Sequence, residues 1–522
     1  MRSNCRPGSH EPREPEDAAP RGRFQAFLCR WFVANSVLAG FFALAWLLLR
    51  SGTRPSRLAY PCQRAALSTA WLAFAAPLLA ALAAARRQLA NGIRSPLGLA
   101  AALVGLAATL VVWGHLSGAG ATPVAHQTPP RDYRAQVFHI TDCPKDPVGD
   151  RFPGLDNLFL LMGRKGLKLY RSATLSTLGG PDGIIAGDDV VVIKINYQWD
   201  ERGGSNTDVL RGLIRAIVDH PDTFNGEVVV CENAQFNSTS GFDRADNNAE
   251  DHSLSPHDVV VHFQGLGYKV SHFDWTPVRF TSVDEYSAGD STDGYVVYGY
   301  SSEYAGRVSY PKFKTSYGTH ISLRDGIWDS GSSSYDRDSL KFVNLPVLKS
   351  HHAVYGATAC VKHYMGVVTT ELSTSSHTSM RYGLLGALIA EIGLADLNIL
   401  DCIWVNANPY DGPWTSYGGA TRLDLLVAST DPVAADIWAV KEILIPAFVN
   451  NGYSPPWPDP NADHDDPNSD FRTYLDSSMD QILDAGLVVT NDLGQIDAHS
   501  WDGVSSEIFA DGFESGNVAE WS

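Results

Sequence analysis

Several polar side chains fall where apolar, β-like runs end, and their types suit the capture of an anion. The run Val190-Val-Val-Ile-Lys-Ile-Asn196 ends in Lys194 and Asn196, and Leu348-Lys-Ser-His-His352 sets Lys349 and His351 two residues apart. Lys362-His363 follows ten residues after His352. Asn206 and Thr207 open a helical pattern after the Gly203-Gly204 turn, where free backbone N–H groups and the positive end of the helix dipole favour negative charge. Lysines supply charge, and amides and N–H groups supply direction. Lys194, Asn196, Asn206, Thr207, Lys349 and Lys362 are therefore candidates to surround a carboxylate or phosphate. His351, whose ordinary pKa lies near neutrality, is the candidate acid or base. Asp401, which closes the run Leu397-Asn-Ile-Leu-Asp401, is a second catalytic candidate.

A divalent metal is the competing chemistry. Glu232, His351 and His363 would be its ligands, because carboxylate and imidazole together suit zinc, iron or manganese. No His-x-x-x-His pair supports it, and the plainer expectation is lysines paired with the abundant carboxylates. The run Asp459–Asp470 has oxygen side chains at alternate positions, as calcium loops do. It puts His464 where such loops have Gly and Asp470 where they have Glu, so a solvated acidic loop is expected. The seven cysteines include no Cys-x-x-Cys pair, so no iron–sulfur motif is present. No cofactor is otherwise named by the sequence.

The elements that must hold these residues alternate between strand-like and helical patterns. Strands are expected over 190–196, 227–232, 268–272, 341–345 and 397–401, with a helix over 208–218 between the first two. This is an α/β pattern, expected to give a mainly parallel sheet with flanking helices, whose ligands would lie beyond the carboxyl ends of the strands. Residues 275–340, rich in Tyr, Ser, Gly and Asp, suggest short antiparallel strands and irregular loops. Asp431 before Pro432 reads as a helix N-cap with proline at the first helical position.

Taken together, Lys194-x-Asn196, the Gly203-Gly204 turn, Asn344-Leu-Pro-x-Leu-Lys349-x-His351, Lys362, Asp401 and Thr430-Asp-Pro-Val-Ala434 resemble the domain-of-unknown-function 362 family over about residues 186–445. The family pattern reads Lys-Pro-Asn at the first motif and Lys-Asn at the later lysine, where this chain has Ile195 and His363. The resemblance implies an architecture and candidate residues, but no reaction.

Three long apolar runs precede this region, over about 31–49, 65–85 and 97–116, each near the ~20 residues that cross a bilayer. They are expected to be transmembrane helices after a cytoplasmic tail of residues 1–30. Arginines flanking the runs place the N-terminus inside. A linker over 117–134 would then lead to a soluble domain over 135–505, periplasmic or extracellular, of a multi-pass inner (plasma) membrane protein, with a tail over 506–522. The net charge of −18 divides into +10 up to Arg134 and −28 beyond it. An acidic domain with no basic stripe argues against nucleic acid as partner. Two functions fit: an enzyme acting on an anionic small molecule, or a non-catalytic module that binds or scaffolds.

Overall fold

The structure is a computed structural model of the full chain, and it describes residues 127–501 apart from 236–240, 291, 353–354, 374–375 and 460. These residues all lie in the second of two compact units, Ala125–Ser522.

In chain order, β1 (Ala135–Ile140) is followed by helix α1 (Pro153–Arg164) and a short parallel pair, β2 (Tyr170–Arg171) with β3 (Gly179–Gly180). Next come β4 (Val190–Lys194), α2 (Thr207–Val218), β5 (Glu227–Glu232), α3 (Pro256–Gly265) and β6 (Val270–Asp274), two successive β-α-β units with parallel pairing. A five-stranded antiparallel sheet intervenes, made of β7 (Gly294–Val297), β8 (Ser309–Lys314), β9 (His320–Ser322), β10 (Gly326–Asp329) and β11 (Ser334–Asp336). The chain then returns as β12 (Leu340–Asn344), parallel to β4, and continues as β13 (Val347–His351), β14 (Gly356–Thr358) and a four-residue helix α4 (Cys360–His363). Helix α5 (Leu384–Ile392), β15 (Leu397–Asn406), β16 (Thr421–Ser429), α6 (Pro432–Ala439), α7 (Asp470–Asp484) and β17 (Ile496–Trp501) complete it. The main sheet runs β17-β1-β16-β15-β12-β4-β5-β6, with β13 on β15 and β14 on β13.

Why these residues form a central sheet is visible in β4 and β5. Both are Val-rich and buried along their whole length, as expected for strands covered on both faces. Val190, Val192, Val229 and Cys231 face a core shared with α5, α6, α7 and the antiparallel sheet. Val191, Ile193, Val228 and Val230 face a second core shared with α1, α2 and α3. Side chains alternate across a strand, so one sequence run supplies both layers.

Two expectations are corrected. The main sheet is mixed rather than mainly parallel: among the described residues β1–β16, β13–β14 and β15–β16 pair antiparallel within it, and the separate five-stranded sheet is antiparallel throughout. The reason is the connection. A parallel return needs a crossover, usually a helix, whereas β15 passes to β16 through a loop with only a 3-10 turn and so comes back antiparallel.

The three membrane spans are corrected as well, and with them the membrane as partner. No helix among the described residues is long and apolar enough to cross a membrane. The longest α-helix, α7, has 15 residues, about 22 Å at 1.5 Å per residue, against a hydrocarbon core of about 30 Å, and the 19-residue helical run over 432–450 carries Asp436, Lys441 and Glu442. The runs at 31–49, 65–85 and 97–116 lie outside the described residues, as do most of the expected linker and the tail over 506–522.

One break in the sheet shapes the site. β12 pairs with β4 as far as Asn344 opposite Lys194. Pro346, which has no N–H to give a ladder, then interrupts the strand. The continuing β13 follows β15 instead, with Val347 opposite Asp401 and Lys349 opposite Asn406. β4 and β13 therefore part company at the carboxyl end of β4.

Candidate functional site

The carboxyl ends of β4, β5 and β12, together with β13 and α4, gather three lysines and two histidines around one carboxylate. Lys194 ends β4, and its Nζ lies 2.9 Å from Oε2 of Glu232 at the end of β5, both side chains being 2% exposed. Gly366 closes over this pair: a Cβ there would stand 2.3 Å from Lys194 Nζ and 2.8 Å from Glu232 Oε1, so only glycine allows the approach. Lys349, on β13, is completely buried and donates to the carbonyl of Gly203. Lys362, on α4, has its Nζ 2.7 Å from Nδ1 of His351. Nδ1 of His351 is also 2.7 Å from Oγ1 of Thr358 on the neighbouring strand.

His363 is fixed by an amide chain. Its Nδ1 lies 2.6 Å from Asn344 Oδ1, which can only accept, so the ring donates there. Asn344 Nδ2 donates to the Cys360 carbonyl at 3.1 Å and to Asn398 Oδ1 at 2.9 Å, and Asn398 Nδ2 donates to the Ser429 carbonyl at 3.1 Å. Asn344 and Asn398 face each other in the parallel register of β12 and β15, which is why the two amides meet.

Helix α4 is too short to position Lys362 on its own. Its first N–H groups are taken by a carboxylate from α6: Asp436 accepts from Cys360 N at 2.6 Å and from Val361 N at 3.0 Å. Asp431, at the start of α6, is the expected N-cap and accepts from Val433 N and Ala434 N at 2.9 Å. It also accepts from Tyr133 and Thr490, tying both ends of the domain to this helix.

Burial and crowding set the charges. Burial pushes Glu232 up to about 7 against the pull of Lys194, and pushes Lys194 down against the pull of Glu232. Lys349 falls to about 7 through burial, with Glu232 opposing and Lys194 adding to the fall. Lys362 is driven well below the lysine range by burial and by Lys349. His351 and His363 are held well below the usual imidazole value by burial and by the neighbouring lysines, so both rings are neutral. Among the described residues, no Asp or Glu lies within ion-pair distance of Lys349 or Lys362.

These directions give a pH dependence. From about 4.5 to about 7 the folded state keeps a proton on Glu232 that the unfolded chain releases, so stability falls as pH rises. From about 7 to 10.5 the unfolded chain keeps a proton that folded Lys349 has lost, so stability rises. Urea midpoints measured from about pH 5 to about pH 9 are expected to pass through a minimum near neutrality, and Lys349→Met to flatten the rise above it. A monotonic wild-type profile would contradict this assignment.

The other sequence candidates are spread more widely. Asn196 ends the same run as Lys194, and its backbone N–H donates to Ser205 Oγ at 2.7 Å. Asn206 is the N-cap of α2, accepting from Asp208 N at 2.9 Å and Val209 N at 3.3 Å. Thr207 donates through Oγ1 to Asn247 Oδ1 at 3.1 Å, and its N–H reaches the same oxygen at 3.3 Å. The N–H groups expected to meet an anion at this helix start are thus met by the chain's own amides. Asp401 does not close its strand, because β15 runs on to Asn406 with β16 as partner. Its side chain shares the face of Ile399 and Ile403, toward the second core, where Asn248 donates to it at 2.7 Å and Ile403 N at 3.0 Å. Burial raises it to about 6, and the cation acting on it is Arg202, held over the Trp404 ring at 4.2 Å.

Among the described residues, no group of three or more His, Cys, Asp or Glu is placed to hold a metal ion. Glu232, His351 and His363 have Lys194, Thr358 with Lys362, and Asn344 as their respective partners. In the acidic loop, Lys441 pairs with Asp465 and lies 3.7 Å from Asp463, while His464 is 2.6 Å from Asp476.

Most of this cluster falls within one matched segment. Residues 337–441 match a family model described as Domain of unknown function (DUF362). That match covers 105 of the 522 residues. Within its bounds lie Asn344, Lys349, His351, Thr358, Lys362, His363, Asp401 and Asp436, whereas Lys194, Asn196 and Glu232 come from strands before it. No curated protein and no solved structure matches the chain.

Beside this DUF362 cluster stand three residues that sequence reasoning missed. Asp436 had a signal, a lone charge inside the apolar helix run Val433-Ala-Ala-Asp-Ile-Trp-Ala439. Thr358 and Asn398 had none, because a threonine or asparagine in a strand is ordinary until its cross-strand partner is known.

Proposed function

We propose that the DUF362 domain and the strands preceding it form the binding site of an enzyme acting on a small carboxylate or phosphate, with His351 as the acid or base. One observation carries this: Lys349 and Lys362 are buried amines with no counter-ion among the described residues. Burying an unpaired cation is costly, and a bound anion removes the cost by pairing with it. Until then the lysines give up their protons, and an arriving anion restores the proton of the one it pairs with. Charge-assisted bonds from two amines to an oxyanion are among the stronger contacts a site makes.

The test is thermal unfolding with oxalate, phosphate and pyruvate. An anion at about 100 times its Kd is expected to add about 2.7 kcal/mol, a rise of several degrees for a domain of this size. Lys349→Met is expected to weaken binding about 10- to 100-fold, the worth of one charged hydrogen bond, while raising the Tm of the ligand-free protein. A Tm that falls in the variant, with the anion response intact, would show that Lys349 is structural instead.

A further inference from the structure

Lys194, Lys349 and Lys362 differ in what surrounds them. Lys194 is neutralised by Glu232, and Lys349 is wholly enclosed with a backbone carbonyl as acceptor. Lys362 is 4% exposed and His351 8% exposed, and its amine is in contact with the imidazole. The β13–β14 hairpin arranges this contact. Lys349 and His351 are two residues apart on one strand, and Thr358 stands opposite Lys349, so all three project from one face. Lys362 Nζ and Thr358 Oγ1 each lie 2.7 Å from Nδ1 of His351, and Lys362 Nζ is 3.3 Å from Nε2, so the tautomer with its lone pair on Nδ1 lets both neighbours donate to the ring. An amine, a base that touches it and a hydroxyl that orients the base form the arrangement of an activated nucleophile.

We propose that Lys362 attacks the carbonyl carbon of a substrate that also bears an anionic group, and forms an imine with it. The inference rests on the anion-site reading above, since Lys349 is assigned to the anionic group. In the first step the Lys362 nitrogen bonds to the carbonyl carbon and the carbonyl π electrons move to oxygen. A proton leaves nitrogen for Nδ1 of His351 and passes to that oxygen, giving a carbinolamine. In the second step the remaining nitrogen proton passes to Nδ1 of His351, which hands it to the hydroxyl; the C–O bond breaks, water leaves, and the nitrogen electron pair forms the C=N bond. The balance is amine plus carbonyl giving imine plus water, with no oxidant or reductant. A buried amine suits this, since addition requires the neutral form and dehydration is favoured where water is scarce.

The experiment uses the full chain with pyruvate, glyoxylate or glyceraldehyde 3-phosphate, each with cyanoborohydride to trap an imine, followed by intact-mass measurement and peptide mapping. The expected result is one adduct per chain, on Lys362. The carboxylate and phosphate probes separate the two kinds of anionic group. Lys362→Arg should abolish the adduct, and His351→Gln should slow its formation about 100-fold or more, as loss of a general base does. Because mapping is done on the wild-type protein, a variant that fails to fold does not spoil the test. An adduct on Lys349, or adducts spread over exposed lysines, overturns the assignment. No adduct with an intact oxalate response overturns the imine step and leaves the anion site standing; no adduct and no anion response overturns both.

Discussion

Replacing Glu232 by alanine is expected to lower the stability of the domain by about 3–5 kcal/mol at neutral pH, the cost of a cavity in a fully buried place and of a buried Lys194 amine left without its acceptor. Glu232 is the carboxylate 2.9 Å from Lys194, and its charge also acts on Lys349. Without it, the Lys194 amine is left buried beside other lysines with no acceptor, and alanine fills none of the space. A Cβ at Gly366 would stand 2.3 Å from Lys194 Nζ, so the glycine leaves the pair its place. Urea unfolding followed by tryptophan fluorescence checks this. Removing both partners, as Lys194→Met with Glu232→Leu, should recover most of the loss, because an apolar pair leaves no charge unpaired. A single-variant loss under about 1 kcal/mol would mean the pair is already neutral in the folded state and contributes little.

The second large effect is expected at Asp436, which touches neither lysine nor histidine. Asp436→Ala leaves the N–H groups of Cys360 and Val361 buried without acceptors, at about 1–3 kcal/mol each, so a total near 2–5 kcal/mol is expected. It also frees the start of α4, and Lys362 is two residues from Cys360. The anion response should therefore weaken along with stability, and Asp436→Asn, which keeps one oxygen but turns an NH2 toward the other donor, should fall between. Stability within about 1 kcal/mol of wild type in the alanine variant would show that α4 holds its position without this carboxylate.

How much of the site was legible follows from the range of each interaction. Lys194, Glu232, Lys349 and Lys362 stand out because they end apolar runs, and strand ends are where an α/β sheet leaves room for ligands. The chain pairs Lys194 with Glu232 across 38 residues and joins Lys362 to His351 across 11. Asn206 and Thr207 were read from a helix start, which is local; that Asn247 occupies the Thr207 N–H is not local and was invisible. Asp401 illustrates the period of two. The sequence marks it as the end of a run, but pairing with β16 extends the strand and its parity turns the carboxylate to the opposite core.

By itself, the sequence determined the buried strands at Val190–Lys194 and Glu227–Glu232 with Lys194 and Glu232 at their ends, the helix between them and the Asp431 cap, because each depends on residues within a few positions of one another. The tertiary structure alone decided that the sheet is mixed, that Pro346 parts β13 from β4, and that Asp436 anchors the helix bearing Lys362. It also decided which lysine found a carboxylate. Those outcomes depend on which strand lies beside which, and strand neighbours are chosen by burial summed over the whole domain rather than by any local pattern.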